Sequence, residues 1–386
     1  MKVAFLIERL DPRRGGMETS AAQFLTELAL LGPEVHVVTQ DVAPDFSVVP
    51  VHQLGIRGLG RTARYRNFVE GAQEFLQRGH WDVVHAVTPC TDCNLYQPRS
   101  GITQQALSRS VAVRKNWLTR SLRKMGGVLN SKQRLLTKLE HQLLSRKNPP
   151  MVAALSRFMR RQIEESYKLP NEKLRDVFNG ITISLPEAAD RKNIRAKLRR
   201  ELGLNESDSV ALFAGHNFRR KGLPKILEAL AKPPGQNWRL LVAGKDSPTQ
   251  YQKLARTLGL EDRVQFLGSR SDVRQLYLAS DVCVLPTYYD PCSRTVLEAM
   301  SLGVPCISTA FDGSSECITP GENGFVLESP EKVDELASHL GVLSDRATQI
   351  KMSEKAVALR ERLSMRRHAR EIFELYQIIT ERSSKL

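Results

Sequence analysis

Short apolar runs alternate with amphipathic stretches along most of this chain. Val3 to Ile7, Val35 to Thr39, Val83 to Ala86 and Val152 to Ser156 read as strands buried on both faces, since little polar alternation interrupts them. Glu18 to Leu31 and Arg64 to Arg78 carry apolar residues at helical spacing, and a longer helical stretch covers Gln105 to Arg146. A second series follows. Its strands are Val210 to Ala214, Arg239 to Ala243, Val264 to Leu267, Val282 to Leu285 and Pro305 to Thr309. Its helices are Leu223 to Ala231, Tyr251 to Leu258, Val273 to Ala279 and Ser293 to Leu302. Two β–α series predict an α/β protein with two doubly wound, Rossmann-like parallel sheets. The joint falls near Asn179 to Ile194, where Gly180 and Pro186 break the pattern. The expected domains are 1–185 and 186–363. Residues 364–386 form a terminal helix with Ile372, Phe373, Leu375, Tyr376 and Ile379 on one face.

Composition sharpens this picture at three points. A hydrophobic content of 41% in 386 residues supports real cores, and a formal net charge of +15 suggests an anionic partner. Val3 to Ile7 runs straight into Glu8 and Arg9, so it reads as a strand and not as a secretory leader. No apolar stretch reaches membrane-spanning length. Cys283 and Cys306 sit in apolar strands as small core residues. Cys90 and Cys93 form a C-x-x-C without the second ligand pair of a structural zinc site, so no metal is expected there. The usage suits a reducing cytoplasm.

Ligands of parallel sheets sit outside the carboxyl ends of the strands, and the loops there hold the candidate chemistry. Gly15-Gly16, just before Glu18, allow close backbone approach after the first strand. No G-x-G-x-x-G or Walker A pattern is present. Gly215 opens the loop His216-Asn217-Phe218-Arg219-Arg220-Lys221-Gly222. There Arg220 can fork two phosphate oxygens and Lys221 acts as a compact charge. Arg270 can stack on a base, with Ser271 capping the next helix. His85 near the end of the third strand and Asp92 in the loop after it are reaction-centre candidates, although a histidine there is more often a structural hydrogen-bonder and Asp92 could equally be a turn residue. Asp290 and Glu298 stand eight positions apart around the start of a helix carrying Ser293, Arg294 and Thr295. Free N–H groups at that helix start bind anions, and flanking carboxylates accept hydrogen bonds from sugar hydroxyls.

This ordered set resembles the retaining glycosyltransferases of family 4, which have the GT-B fold. Its elements are Gly15-Gly16, Asn179-Gly180, Arg220-Lys221-Gly222 and the acid-x7-acid segment from Asp290 to Glu298. The loop Phe218 to Gly222, and Asp92 where many members carry histidine, are most similar to members acting on the lipopolysaccharide core. The resemblance implies two lobes facing a central cleft, with the terminal helix packed back on the first. It implies that Glu298 holds ribose hydroxyls and Asp290 the donor sugar. Backbone N–H groups of Ser293, Arg294 and Thr295 would then cradle the distal phosphate. Arg220 and Lys221 would neutralise the leaving diphosphate, Gly15, Gly16, Gly215 and Arg270 would complete the donor site, and His85 and Glu18 would lie on the acceptor side. Two departures bear on the donor sugar. Asp290 replaces the family's usual Glu, and Ser293 its usual Gly.

The implied activity is retaining transfer of a hexose, glucose from UDP-glucose, to a cell-envelope glycolipid such as the lipopolysaccharide core. It needs no cofactor and no metal, in keeping with the absence of D-x-D. Two alternatives remain open: a relative using GDP-mannose or UDP-N-acetylhexosamine on a polysaccharide acceptor, and a non-catalytic scaffold that binds nucleotide-sugar. Residues 99–161 hold fifteen Lys or Arg against one acid, Glu140. Trp117, Leu118, Leu122, Met125, Leu129, Leu135, Leu136, Leu139 and Leu143 interleave with the cations. Such a segment fits an anionic membrane surface, with the enzyme cytoplasmic and peripheral on the inner face of the plasma membrane. A nucleic-acid partner is not expected, because no reader motif is present.

Overall fold

The structure, a computed structural model, describes residues 1–105 and 131–383. The chain divides into two compact units, one of Met1–Thr182 with the residues from Ser364 onward, the other of Ile183–Leu363.

In the first unit the strands are β1 (Lys2–Leu6), β2 (Arg9–Leu10), β3 (Glu34–Thr39), β4 (Asp41–Val42), β5 (Val51–Gln53), β6 (Val83–Ala86), β7 (Leu95–Tyr96), β8 (Met151–Ala154) and β9 (Leu174–Asp176). The helices are α1 (Gly16–Ala29), α2 (Gly60–Gln77), α3 (Ser131–Leu144) and α4 (Arg157–Ser166). Seven strands form one parallel sheet in the order β5-β3-β1-β6-β7-β8-β9, and β2 and β4 form a separate pair. Strand β8 stops at Ala154 because Ser156 caps α4, its Oγ accepting from the Met159 N–H at 3.1 Å. Of the stretch expected as one long helix, Gln105 to Arg146, the structure describes Gln105 and residues 131–146, and α3 covers Ser131–Leu144. The aromatic and apolar positions Trp117, Leu118, Leu122, Met125 and Leu129 lie outside the described residues.

The second unit opens with α5 (Ala188–Glu201) and alternates β10 (Ser209–Ala214), α6 (Leu223–Leu230), β11 (Trp238–Ala243), α7 (Thr249–Thr257), β12 (Val264–Gly268), α8 (Val273–Ala279), β13 (Val282–Val284), α9 (Arg294–Ser301), β14 (Cys306–Thr309) and β15 (Gly324–Leu327). The helices α10 (Val333–Val342) and α11 (Arg346–Val357) follow. The sheet runs β12-β11-β10-β13-β14-β15, all parallel. A buried Asp281 ties α5 to its lower edge. Its carboxylate accepts from Arg199 at 2.7 Å, Arg195 at 2.8 Å and the Val210 N–H at 2.8 Å. The strand order reverses direction at β10 and β13, so the loops after these two strands flank the switch point where doubly wound sheets take ligands.

Helix α12 (Met365–Ser383) belongs to the first unit. Ile372, Leu375, Tyr376 and Ile379 join the core made by Phe24, Leu25 and Leu28 of α1, and Phe373 packs on its margin. Gly180 makes the approach possible. A Cβ there would stand 2.7 Å from the Ser364 carbonyl oxygen and 2.8 Å from Met365 Cα.

Candidate active site

The second unit gathers its candidate chemistry at the carboxyl ends of β10 and β13. Gly215 leaves β10, and Asn217 takes a left-handed turn at φ 57, accepting the Arg220 N–H on its Oδ1 at 3.3 Å. Phe218 pins the loop from below. Its ring is buried edge-on against Phe213 and Tyr251, and its N–H donates to Asp246 at 2.8 Å. The Arg220 carbonyl then accepts from the Tyr288 N–H at 2.8 Å, which joins this loop to the one after β13. Gly222 closes the turn at φ 82, where an added Cβ would lie 2.0 Å from the Pro286 carbonyl oxygen. Only glycine fits both demands.

This scaffold puts Lys221 Nζ on the carboxylate of Asp290, a nearly enclosed ion pair. Arg220 differs. Its guanidinium has no hydrogen-bond or ion-pair partner among the described residues, and its Nε is buried. A planar cation left unpaired beside a buried Lys–Asp pair has the donors to bind an anion. The Asp290 Oδ1 accepts the Cys292 N–H at 3.2 Å, and Thr295 Oγ1 donates to the Ala214 carbonyl at 3.1 Å, fixing the start of α9 against the end of β10. Glu298 lies a turn further on. Its carboxylate accepts from Arg294 at 2.9 Å and from the Tyr277 hydroxyl at 3.2 Å.

Asp312, not singled out from the sequence, completes the group. It follows β14, is fully buried, and shares a backbone bridge with Asp290. Its Oδ1 accepts from the N–H groups of Ser293 at 3.1 Å and Ser314 at 2.9 Å, and its Oδ2 from Ser308 Oγ at 2.9 Å. Burial pushes its pKa up to about 6, the charge of Asp290 adds to the rise, and Lys221 opposes it. One expectation is corrected here, and one hydroxyl stands apart. The Ser293 N–H is held by Asp312 instead of standing open for a phosphate. The Ser293 hydroxyl makes no capping bond and is buried without a partner among the described residues. The one signal of Asp312 in sequence is an Asp-Gly after a strand, which ordinary turns share.

Arg270 is engaged by Asp272, its Nε and Nη2 donating at 2.7 and 2.6 Å, and Asp272 instead of Ser271 stands at the start of α8. Tyr277 was hidden because an aromatic on an apolar helix face reads as core. A cavity of about 580 Å³ lies elsewhere in this unit, between α5 and α8, lined by Pro186, Ile194, Asp272 and Leu278 among others. It holds none of Arg220, Lys221, Asp290 or Glu298, so the chemistry and this hollow are separate.

In the first unit the candidates do not converge. Gly15 precedes α1, and Glu18 is 8% exposed in its first turn, with Oε2 where a Gly15 Cβ would meet it at 3.3 Å. The loop between β2 and α1 is braced by Asp11, which accepts from Arg13 at 2.8 and 3.0 Å and is held down to about 2 by that bond. Asp92 is exposed, 3.6 Å from Arg146. His85 is a correction. It is fully buried, edge-on to Phe5 and Phe24, with Nδ1 2.7 Å from the Tyr376 hydroxyl. Burial drives its pKa well down, so it is a neutral core histidine and not a group facing an acceptor. The basic segment is also less uniform than its composition. Arg99 is buried and donates to Ser20 at 2.6 Å, while Glu140 is buried and accepts from Tyr96 at 2.8 Å.

Two Rossmann-like parallel sheets, the second with cations and carboxylates at its carboxyl edge, define a glycosyltransferase of the GT-B class. Family models agree: residues 14–185 match Glycosyltransferase Family 4, and residues 194–358 match Glycosyl transferases group 1. The chain belongs to the family 4 glycosyltransferases. It is 26% identical over 343 residues to the lipopolysaccharide glucosyltransferase WaaG of Escherichia coli, covering 87% of each chain. It is also 26% identical over 420 residues to the D-inositol 3-phosphate glycosyltransferase of Corynebacterium efficiens, covering 98% of this chain and 96% of that one. The crystal structure of WaaG superposes with a TM-score of 0.78 at 24% identity, over 98% of this chain and 99% of that one. Anabaena HepE, solved with UDP and glucose, superposes with a TM-score of 0.74 at 20% identity, over 98% and 99%.

Proposed function

We propose that this chain is a retaining, metal-independent hexosyltransferase that moves glucose from UDP-glucose to a cell-envelope glycolipid such as the lipopolysaccharide core. One observation carries the reading. The unpaired Arg220 guanidinium and the Lys221–Asp290 pair stand together at the carboxyl edge of the second sheet, beside the α9 segment that carries Glu298. The similarity to the Escherichia coli glucosyltransferase supports the choice of sugar and acceptor.

In this mechanism the diphosphate binds Arg220 and draws Lys221 away from Asp290. The freed Asp290 carboxylate accepts hydroxyls of the donor sugar, and Glu298 accepts those of the ribose. As the anomeric C–O bond breaks, its electron pair goes to the diphosphate oxygen, where Arg220 and the Lys221 already drawn over on donor binding stabilise it. The acceptor hydroxyl adds to the same face of the anomeric carbon and gives its proton to the departing diphosphate. Gly215 and Arg270 border the donor. Cations in 99–161 hold the enzyme on an anionic membrane surface as a peripheral cytoplasmic protein. Among the described residues no helix is long and apolar enough to cross a membrane.

A panel of nucleotide-sugars, each incubated with chelator and a glycolipid acceptor, tests this reading. UDP-glucose should turn over best with configuration kept. Lys221→Ala and Glu298→Ala should lose transfer while remaining folded. Full transfer by either variant would refute the assignment.

A further inference from the structure

One apolar tip on the first unit is used by nothing described so far. The loop from Gly55 to Gly60, between β5 and α2, exposes Ile56 at 53% and Leu59 at 98%. Gly55, Gly58 and Gly60 all have φ between 74 and 97, so the backbone is turned in a way side chains resist. The loop is nevertheless built firmly. Gly58 folds against Ala63 and Asn67, where a Cβ would meet either at 3.0 Å, and Arg64 Nε donates to its carbonyl at 3.3 Å. Gln40 Nε2 donates to the Arg64 carbonyl at 2.7 Å, Tyr65 to the Pro89 carbonyl at 2.5 Å, and Thr62 Oγ1 meets Ser131 Oγ at 2.6 Å. The two apolar side chains are thus held out by a braced loop.

Leu59 also occupies a position where leucine helps folding least. It is the N-cap of α2 and makes no capping bond. Ser, Asp or Asn there would satisfy an open N–H group of the helix, and leucine is among the poorest choices. Around the tip stand Arg57, Arg61, Arg64 and Arg66, all exposed, and no acid occurs between Gly55 and Val69. An apolar point collared by arginines fits an anionic bilayer, whose headgroups meet the guanidinium groups while the side chains reach the acyl boundary. The placement is apt as well. Strands β1, β5 and β6 run parallel in one sheet, so the tip shares its carboxyl edge with the loops holding Gly15-Gly16 and Asp92.

We infer that the Gly55–Gly60 loop is a membrane-inserting tip, in which Leu59 and Ile56 enter the interface of an anionic phospholipid bilayer beneath a collar of arginines. This contact is distinct from the basic segment 99–161. Its purpose, setting the acceptor-side edge against a glycolipid, rests on the transferase reading, but its existence does not.

The test uses the full chain with vesicles of phosphatidylcholine, alone or mixed with phosphatidylglycerol. In Leu59→Trp, the added indole emission should shift to the blue and be quenched by brominated acyl chains, in the mixed vesicles only. Ile56→Ser with Leu59→Ser removes apolar surface without changing charge and gives α2 a better cap. It should lower partitioning about tenfold or more. Partitioning equal to the parent, an added indole signal unmoved in vesicles that bind the protein, or no vesicle binding at all would each overturn the inference. Self-association that Leu59→Ser abolishes, without lipid quenching, would overturn it in favour of a protein interface. Donor hydrolysis in lipid-free solution separates the two claims. If it fails while the tip inserts, the transferase reading falls alone; if it proceeds while the added indole stays in water, the tip falls alone.

Discussion

Replacing Lys221 with methionine keeps the aliphatic stem and removes the charge. It leaves Asp290 and the fully buried Asp312 side by side without the lysine charge that opposes the rise of the Asp312 pKa. Breaking a buried pair typically costs about 3–5 kcal/mol. Lys221 and Asp290 keep 10% and 15% of side-chain exposure, which places the expected loss near the low end, about 3 kcal/mol. The loss should depend on pH. Asp312 already sits at about 6 with Lys221 holding it down, so removing Lys221 raises it further. Below about pH 6 Asp312 is protonated in both proteins, and the loss is that of the Lys221–Asp290 pair alone. Above it the parent ionises Asp312 beside a lysine, while the variant must keep a proton or bury two charges. The penalty therefore grows with pH by up to about 1.4 kcal/mol per unit for one proton. Chemical denaturation of parent and variant across this range measures it. A penalty that is constant, or that grows on acidification, would refute the coupling of these three residues.

Other expectations follow from the same geometry. Arg220→Met should lower transfer about 10²–10³-fold with stability within about 0.5 kcal/mol, because its guanidinium has no partner among the described residues; steady-state rates with a denaturation curve check both. Gly222→Ala should destabilise by more than about 2 kcal/mol, since a left-handed φ and a 2.0 Å clash coincide there. Gly203→Ala, at φ 65 with nothing within 4 Å, should lose only about 1 kcal/mol. Asp312→Asn should flatten the pH dependence of folding. The raised pKa of Asp312 means that the native state binds the extra proton between 3.8 and about 6. Stability is therefore lost as pH rises through that window, by about 3 kcal/mol, and the amide removes this loss.

The long apolar strands were legible because burial on both faces leaves a continuous hydrophobic run, as in Ser209–Ala214 and Trp238–Ala243. Val83–Ala86 and Cys306–Thr309, of four residues each, were legible for the same reason. Leu95–Tyr96 and Gly324–Leu327 were not, since the first is only two residues long and the second opens on a glycine amid polar neighbours. The terminal helix was legible as a helix from its single apolar face. In the site, Lys221 and Asp290 stood out as a cation run and an acid at strand ends, and the structure pairs them. His85 misled because a histidine after two valines looks the same in a core as at a ligand. Its burial depends on Phe24 and Tyr376, far away in sequence. Asp312 was invisible for a similar reason. Its partners Ser293 and Ser308 come together only when β14 lies beside β13.

Calorimetric titration of UDP-glucose into the purified chain and into Glu298→Ala tests the central claim most directly. Saturable binding by the parent, absent or at least about tenfold weaker in the variant, is the predicted result. Equal binding by both, or heat from neither at any donor concentration, would show that the carboxyl edge of the second sheet does not hold a nucleotide-sugar.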